Sequence, residues 1–196
     1  MTIQQAPQPP SELQKLLNSH PMSPSSTQDS DLHNLALQIA HNLRYQHLWT
    51  DVRLHTNKPE TSQPLSRPIL SGIPPRRLYV HPDEQIELLQ QQKDQGKTGM
   101  PELEPQREWV LPSHLREKWT LRRFGATFDA MGTEQGEGEG KGELLFDAEE
   151  RAVEDENKGS KWRSNLPKRL LLATLEDDST VVYYIVHDGI VKPRQN

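Results

Sequence analysis

Two consecutive apolar runs near the C-terminus constrain this chain more than any other feature. Residues 170–175 and 181–186 flank the acidic cluster Glu176-Asp177-Asp178-Ser179-Thr180. β-type runs on either side of turn-forming residues predict a hairpin. Neither run alternates: Leu170, Leu171 and Leu172, then Val181, Val182, Tyr183, Tyr184, Ile185 and Val186, place apolar groups on both faces. Such strands have to be covered on both sides by their own domain, by another chain, or by both. A partner surface is therefore expected at Val181, Val182, Tyr183, Tyr184, Ile185 and Val186.

The rest of the chain is too polar to be packed throughout. Of 196 residues only 32 % are hydrophobic, 16 are proline and 11 glycine, and the mean hydropathy is −0.86. This composition predicts one small domain with disordered additions. Cysteine is absent, which excludes a disulfide framework or thiolate zinc site and fits a reducing compartment. No apolar run approaches the roughly 20 residues needed to cross a bilayer, and the N-terminus lacks the form of a signal peptide. A soluble intracellular protein is expected. The net charge of −5 hides an asymmetry. Ten acidic residues between Glu134 and Glu156 face only Lys141 and Arg151, so the remainder is mildly basic. That balance permits contact with nucleic acid without demanding it.

Residues 1–28, rich in Pro, Gln and Ser, read as a disordered tail despite Leu13, Leu16 and Leu17. Leu32, Leu35, Ala36, Ile39, Ala40 and Leu43 then recur at helical spacing, with Asp29 or Ser30 as N-cap, predicting a helix to about Leu48. A strand is expected over 51–56, followed by a connection punctuated by Pro59, Pro64, Pro68, Pro74 and Pro75. Residues 76–81 alternate like a half-exposed strand. Pro82, Asp83 and Glu84 suit the first turn of a helix through Gln92. A short strand over 108–111 precedes a helix capped by Thr120, with Leu121, Phe124 and Phe128 on one face. Disorder is expected across the glycine-acidic stretch from about 132 to 164, and a last short strand over 190–193. The sum is an α/β domain, residues 29–196, with a mixed sheet flanked by helices.

Several fragments imitate catalytic sites. Gly96-Lys97-Thr98 resembles the end of a phosphate-binding loop, but Gln91 stands where glycine is required, and a helix rather than a strand precedes it. Pro82-Asp83 with Glu139-Gly140-Lys141 mimics a metal-nuclease signature, yet its second half lies where nothing would hold a ligand rigidly. His33 and His41 are too far apart for a shared zinc face. His55, His81 and His187 fall near strand ends. Tyr79, His81, His187 and Lys192 supply the residue types for metal-independent RNA cleavage, but no spacing unites them. Neither metal nor cofactor is expected.

Basic residues cluster at Arg76 and Arg77, at Arg116, Lys118, Arg122 and Arg123, and at Lys161, Arg163, Lys168 and Arg169. Mixed with Trp109, Trp119 and Trp162, they could engage RNA by charge and stacking. Arg76, Arg77, Arg122, Arg123, Lys168 and Arg169 are the RNA-contact candidates. The plainer reading is a solvated face with Trp109 and Trp119 in the core, and Trp162 is open to either. Glu176, Asp177 and Asp178 have two readings as well: a loop satisfying its own turn amides, or an acidic contact for a basic groove on a partner.

Asp51–Thr56 (DVRLHT), 74–89 (PPRRLYVHPDEQIELL), 108–124 (EWVLPSHLREKWTLRRF) and 170–196 (LLLATLEDDSTVVYYIVHDGIVKPRQN) resemble the small, non-catalytic subunit fifteen family of the tRNA-splicing endonuclease, as a filamentous-fungal member. The resemblance covers about 30–130 and 165–196, and DSTVVYYIVHDGIVKP carries most of its specificity. It implies a tRNA-intron endonuclease-like fold with no active site of its own. It implies a heterotetramer in which subunits two and thirty-four are catalytic and subunit fifty-four completes the set. Direct pairing would be with subunit thirty-four through the C-terminal strands, with Glu176, Asp177 and Asp178 entering a basic groove. Pre-tRNA would be met through the complex, and the nucleus, or the outer mitochondrial surface, is the expected location. An autonomous ribonuclease using Tyr79, His81 or His187, and Lys192 is the rival enzyme reading. A free-standing RNA-binding module is the rival binding reading. Two uncovered apolar strands could also pair with themselves in a homodimer.

Overall fold

The computed structural model describes residues 9–21, 27–58, 61, 63–131, 142–146 and 167–189. In chain order the elements are α1 (Glu12–Ser19), α2 (Thr27–Tyr45), β1 (Thr50–Asn57), β2 (Pro64–Ile73), α3 (Pro82–Asp94), β3 (Glu108–His114), α4 (Leu121–Ala130), β4 (Glu143–Leu144), β5 (Arg169–Leu175) and β6 (Val181–His187). The strands form one mixed sheet in the order β4-β1-β2-β3-β5-β6. Only β3 and β5 run parallel, with α4 in the connection between them.

Each face of the sheet buries one helix. On one, Leu35, Ala36, Ile39, Ala40 and Leu43 of α2 pack on Val52, Leu54, Leu70, Val110, Leu171 and Ala173. On the other, Phe128 of α4 and the following Met131 pack with Ile69, Trp109, Leu111 and Leu170. Consecutive strand residues point to opposite faces. Leu170 and Leu171 thus enter different cores, which explains the uninterrupted apolar run in β5. Burial of this kind contributes roughly 1.5–3 kcal/mol per large aliphatic side chain.

The mixed α/β architecture matches the expectation, but several local readings are corrected. Residues 12–19, placed in the tail by their polar setting, form α1, with Ser11 capping its first turn. Leu16 is buried in the α2 core and Leu17 packs against it; three leucines on one face were enough once α2 offered a surface. Residues 64–73, read as a connection because of their prolines, form the central strand β2. Pro64 opens the strand, and Pro68 precedes the first β2–β3 pair, Leu70 with Val110. Pro68 also falls where the β1–β2 register is irregular, between His55↔Ile69 and Asn57↔Pro64. Neither proline removes a needed ladder donor. Residues 76–81 are not a strand. There the backbone is held by side chains instead, Arg77 Nε donating to the Tyr79 carbonyl at 3.2 Å.

Helix α2 stops at Tyr45 rather than Leu48, because Leu48 takes a left-handed φ of 58°. Leu121 is 90 % exposed, unlike Phe124 and Phe128, since the first residue of α4 overhangs the sheet. Within the stretch expected to be disordered, Glu143–Leu144 pairs with Arg53 and Leu54, and Leu145 is buried. Gly142 makes this approach feasible: a β-carbon there would fall 2.6 Å from the His55 ring. The strand expected at 190–193 lies outside the described residues. No helix among the described residues is long and apolar enough to cross a membrane.

Candidate functional site

Strand β6 is the last strand of the sheet among the described residues. All seven of its residues pair with β5, from Val181↔Leu175 to His187↔Arg169. No described strand takes up its other side. The six predicted interface residues divide between inside and outside. Val181 and Tyr183 lean on the α2 core and Val186 on the α4 core. Val182, Tyr184 and Ile185 are exposed by 43 %, 53 % and 43 %. Val182 and Tyr184 share the α4 face while Ile185 is on the other, so the apolar surface wraps around the edge. The Tyr183 hydroxyl donates to Asn42 Oδ1 at 2.7 Å, tying β6 to α2, and burial raises its pKa.

The acidic turn sits at the end of the sheet beside the β3–α4 loop. Asp178 Oδ1 accepts from the Thr180 amide at 2.8 Å, which holds its carboxyl below the ordinary range and serves the turn itself. Asp177 is paired with Arg116 and lies 3.4 Å from the His114 ring. Glu176 is exposed.

Most of the candidate RNA-contact residues spend their donors inside the fold. Arg77 holds both oxygens of the buried Glu84, at 2.9 and 3.0 Å. Arg169 holds the buried Glu108, with Nη2 at 2.5 Å; burial pushes that carboxyl up, with the guanidinium opposing. Lys168 Nζ donates to the carbonyls of Phe128 and Met131. Arg123 pairs with Glu117 at 2.5 Å and lies over the Trp119 ring, 4.5 Å from its centroid. Arg76 and Arg122 are exposed. Trp109 is buried as expected, and Trp119 packs beside the second core. Trp162 lies outside the described residues.

The opposite end of the sheet brings together residues that no spacing united. The Tyr79 and His187 rings meet edge to face at 5.0 Å. Arg169 lies 5.1 Å over Tyr79. His187 Nδ1 is buried without a hydrogen-bond partner. Burial, then the charges of Arg169 and His81, keep His187 below its usual pKa. His81 caps α3, its Nδ1 accepting from the Asp83 amide at 3.2 Å. Lys192 lies outside the described residues. A neutral imidazole beside a phenol is a base–acid pair in kind, but the guanidiniums against Tyr79, those of Arg169 and Arg77, are already bound to Glu108 and Glu84.

The remaining site-like fragments dissolve. Gly96, Lys97 and Thr98 lie in the exposed turn after α3, and Asp83 is in that helix's first turn. Glu139, Gly140 and Lys141 lie outside the described residues. Among the described residues no group of His, Asp and Glu could hold a metal ion. One buried polar network escaped the reading of the sequence. His55 Nε2 lies 2.8 Å from Ser71 Oγ, which also accepts from Arg107 at 3.1 Å; Arg107 pairs with Asp51. His55 packs on Trp109 with centroids 4.7 Å apart. Burial, with Arg107 and Arg53 adding to it, lowers its pKa to about 4.

The family model described as Sen15 protein matches residues 38–145 and 151–196. A probable tRNA-splicing endonuclease subunit, tsp-1, of Neurospora crassa is 43 % identical over 169 residues, 86 % of this chain and 68 % of that protein. The probable tRNA-splicing endonuclease subunit sen15 of Schizosaccharomyces pombe is 25 % identical over 154 residues, 79 % of this chain and 77 % of that protein. With β1, β2, β3, β5 and β6 all inside the matched segments, this chain belongs to the Sen15 family.

Proposed function

We propose that this chain is a non-catalytic structural subunit of a tRNA-splicing endonuclease, supporting removal of introns from pre-tRNA by pairing with a catalytic subunit. The observation that carries the reading is β6: a fully formed edge strand whose far side pairs with no strand among the described residues and whose exposed residues are apolar on both faces. Soluble proteins blunt such edges with charge, proline or a covering element. None stands among Val181, Val182, Tyr183, Tyr184, Ile185 and Val186. The names of the Neurospora and Schizosaccharomyces relatives supply the complex. The direct partner is the catalytic subunit thirty-four, with subunits two and fifty-four completing the assembly, and Glu176 the freest acid of the turn to meet it. A homodimer through β6 is the state of the chain alone.

The test is capture of the chain from its own cell extract, followed by identification of its partners and a cleavage assay on intron-containing pre-tRNA. Three further subunits and cleavage in the eluate, with an inert isolated chain, are the expected results. Recovery of the chain alone would overturn the reading. The contact between Tyr79 and His187 favours a second reading, a self-sufficient metal-independent ribonuclease. Cleavage by the purified chain that disappears in His187→Ala would establish it.

A further inference from the structure

We propose that the corner between β3 and α4 binds the phosphate backbone of RNA, through Lys118 and Arg122 with the field of Arg116 and Arg123 behind them. This goes beyond the pairing reading and does not depend on β6. The starting point is what the fold does with its cations. Arg77 and Arg169 are neutralised in buried ion pairs and Lys168 caps carbonyls. At the β3–α4 corner the balance is different. Arg67, Arg116, Lys118, Arg122 and Arg123 lie in or against this corner; Glu117 and Asp177 pair with three of them, and Glu176 and Asp178 stand in the adjoining turn, so five cations meet four acids.

Glu117 serves two guanidiniums, Arg67 at 2.8 Å and Arg123 at 2.5 Å. Burial alone would raise its pKa, but hydrogen bonds from Arg67, Arg123 and Ser113 hold it below the usual range. It therefore stays ionised and is still outnumbered. Lys118 and Arg122 are exposed, with no ion pair among the described residues.

Helix α4 sharpens the imbalance. Thr120 caps it, accepting from the Arg123 amide at 3.3 Å, and its first turn contains no acid. Arg122 and Arg123 stand where the positive end of the helix favours Asp or Glu. Positive side chains at a positive helix end are complementary to an anion from outside the fold. Trp119 keeps the corner in shape. Its indole donates to Ser113 Oγ at 2.8 Å, it stacks on Phe124 at 4.6 Å, and both Arg67 and Arg123 lie over its ring.

Lys118 and Arg122 carry their charges on long, exposed side chains, which suits sequence-independent phosphate contacts. Two phosphates neutralised at Lys118 and Arg122 give a salt dependence of about −1.8 in log K against log salt, so affinity falls roughly tenfold between 50 and 200 mM.

The test is fluorescence anisotropy of the full chain with a labelled intron-containing pre-tRNA transcript over that salt range. The variants are Lys118→Glu with Arg122→Glu, the neutral pair Lys118→Gln with Arg122→Gln, and Lys93→Glu as a charge control at an exposed lysine in the last turn of α3. Both double variants should keep the native far-ultraviolet spectrum, lose binding about tenfold at low salt and flatten the salt slope. Lys93→Glu should bind as the natural chain does. The proposal is overturned if the natural chain binds no RNA or if the double variants bind unchanged. It is also overturned if Lys93→Glu loses as much, which would reduce the effect to bulk charge.

Discussion

Lowering the pH should destabilise this domain through His55 before most carboxylates are protonated. His55 is buried between Ser71 and Trp109, with Gly142 pressed against its ring. The charged groups facing it are Arg107 and Arg53, both positive. A protonated ring would place a third positive charge beside these two guanidiniums in a buried site. Folding therefore favours the neutral ring, with a pKa near 4 against about 6.5 in the unfolded chain. Above pH 6.5 both states are neutral and nothing is gained or lost. Between 6.5 and 4 the unfolded state binds the extra proton, so stability falls with pH, by about 3 kcal/mol over the whole window at 1.36 kcal/mol per pH unit. With a urea slope of about 2 kcal/mol/M, the midpoint should drop by about 1 M between pH 7 and pH 4.5. Urea titrations followed by tryptophan emission measure this directly. His55→Gln keeps a donor and acceptor for Ser71 but cannot titrate, so its midpoint should move by clearly less over the same pH change. Equal movement in the two proteins would refute the assignment to His55.

Other consequences follow from the packing. Glu108→Ala strands the guanidinium of Arg169, whose side chain is only 4 % exposed; loss of about 3–5 kcal/mol is expected, read by thermal unfolding. Thr120→Ala removes the cap of α4 and should cost about 1 kcal/mol while leaving the α2 side of the domain intact, as judged by amide exchange. Gly142→Ala forces a β-carbon into the His55 ring. It should release β4 and speed amide exchange on its partners Arg53 and Leu54, with β5 and β6 unaffected.

What could be read from the sequence was what local rules decide. The β5–β6 hairpin, α2 and the Thr120-capped α4 follow from periodicity and turn chemistry, and each stands close to where it was expected. Strand β2 was missed because proline is a sound breaker in isolation; only the register shows that Pro64 and Pro68 sit where no donor is needed. Helix α1 was missed because composition speaks for a polar segment unless a neighbour offers a surface, here the α2 core that buries Leu16. The meeting of Tyr79 with His187, and of His55 with Ser71 and Arg107, depends on which strand ends the sheet brings together. No spacing along the chain encodes that. The hairpin's two-faced apolarity pointed to β6 as a surface. Which residues face out was settled only by the cores on either side: Val182, Tyr184 and Ile185, rather than Val181, Tyr183 and Val186.

That division provides the most direct measurement. Val182→Asp with Tyr184→Asp places two charges on the exposed α4 face of the edge strand and leaves the inward residues untouched. Co-expressed with catalytic subunit thirty-four, the natural chain should co-purify and elute with it as one species. The double variant should remain folded, with native tryptophan emission, and elute alone, because unpaired charges in an apolar interface are costly. Co-elution of the folded double variant with the catalytic subunit, at the natural ratio, would contradict the account of β6 as the pairing edge.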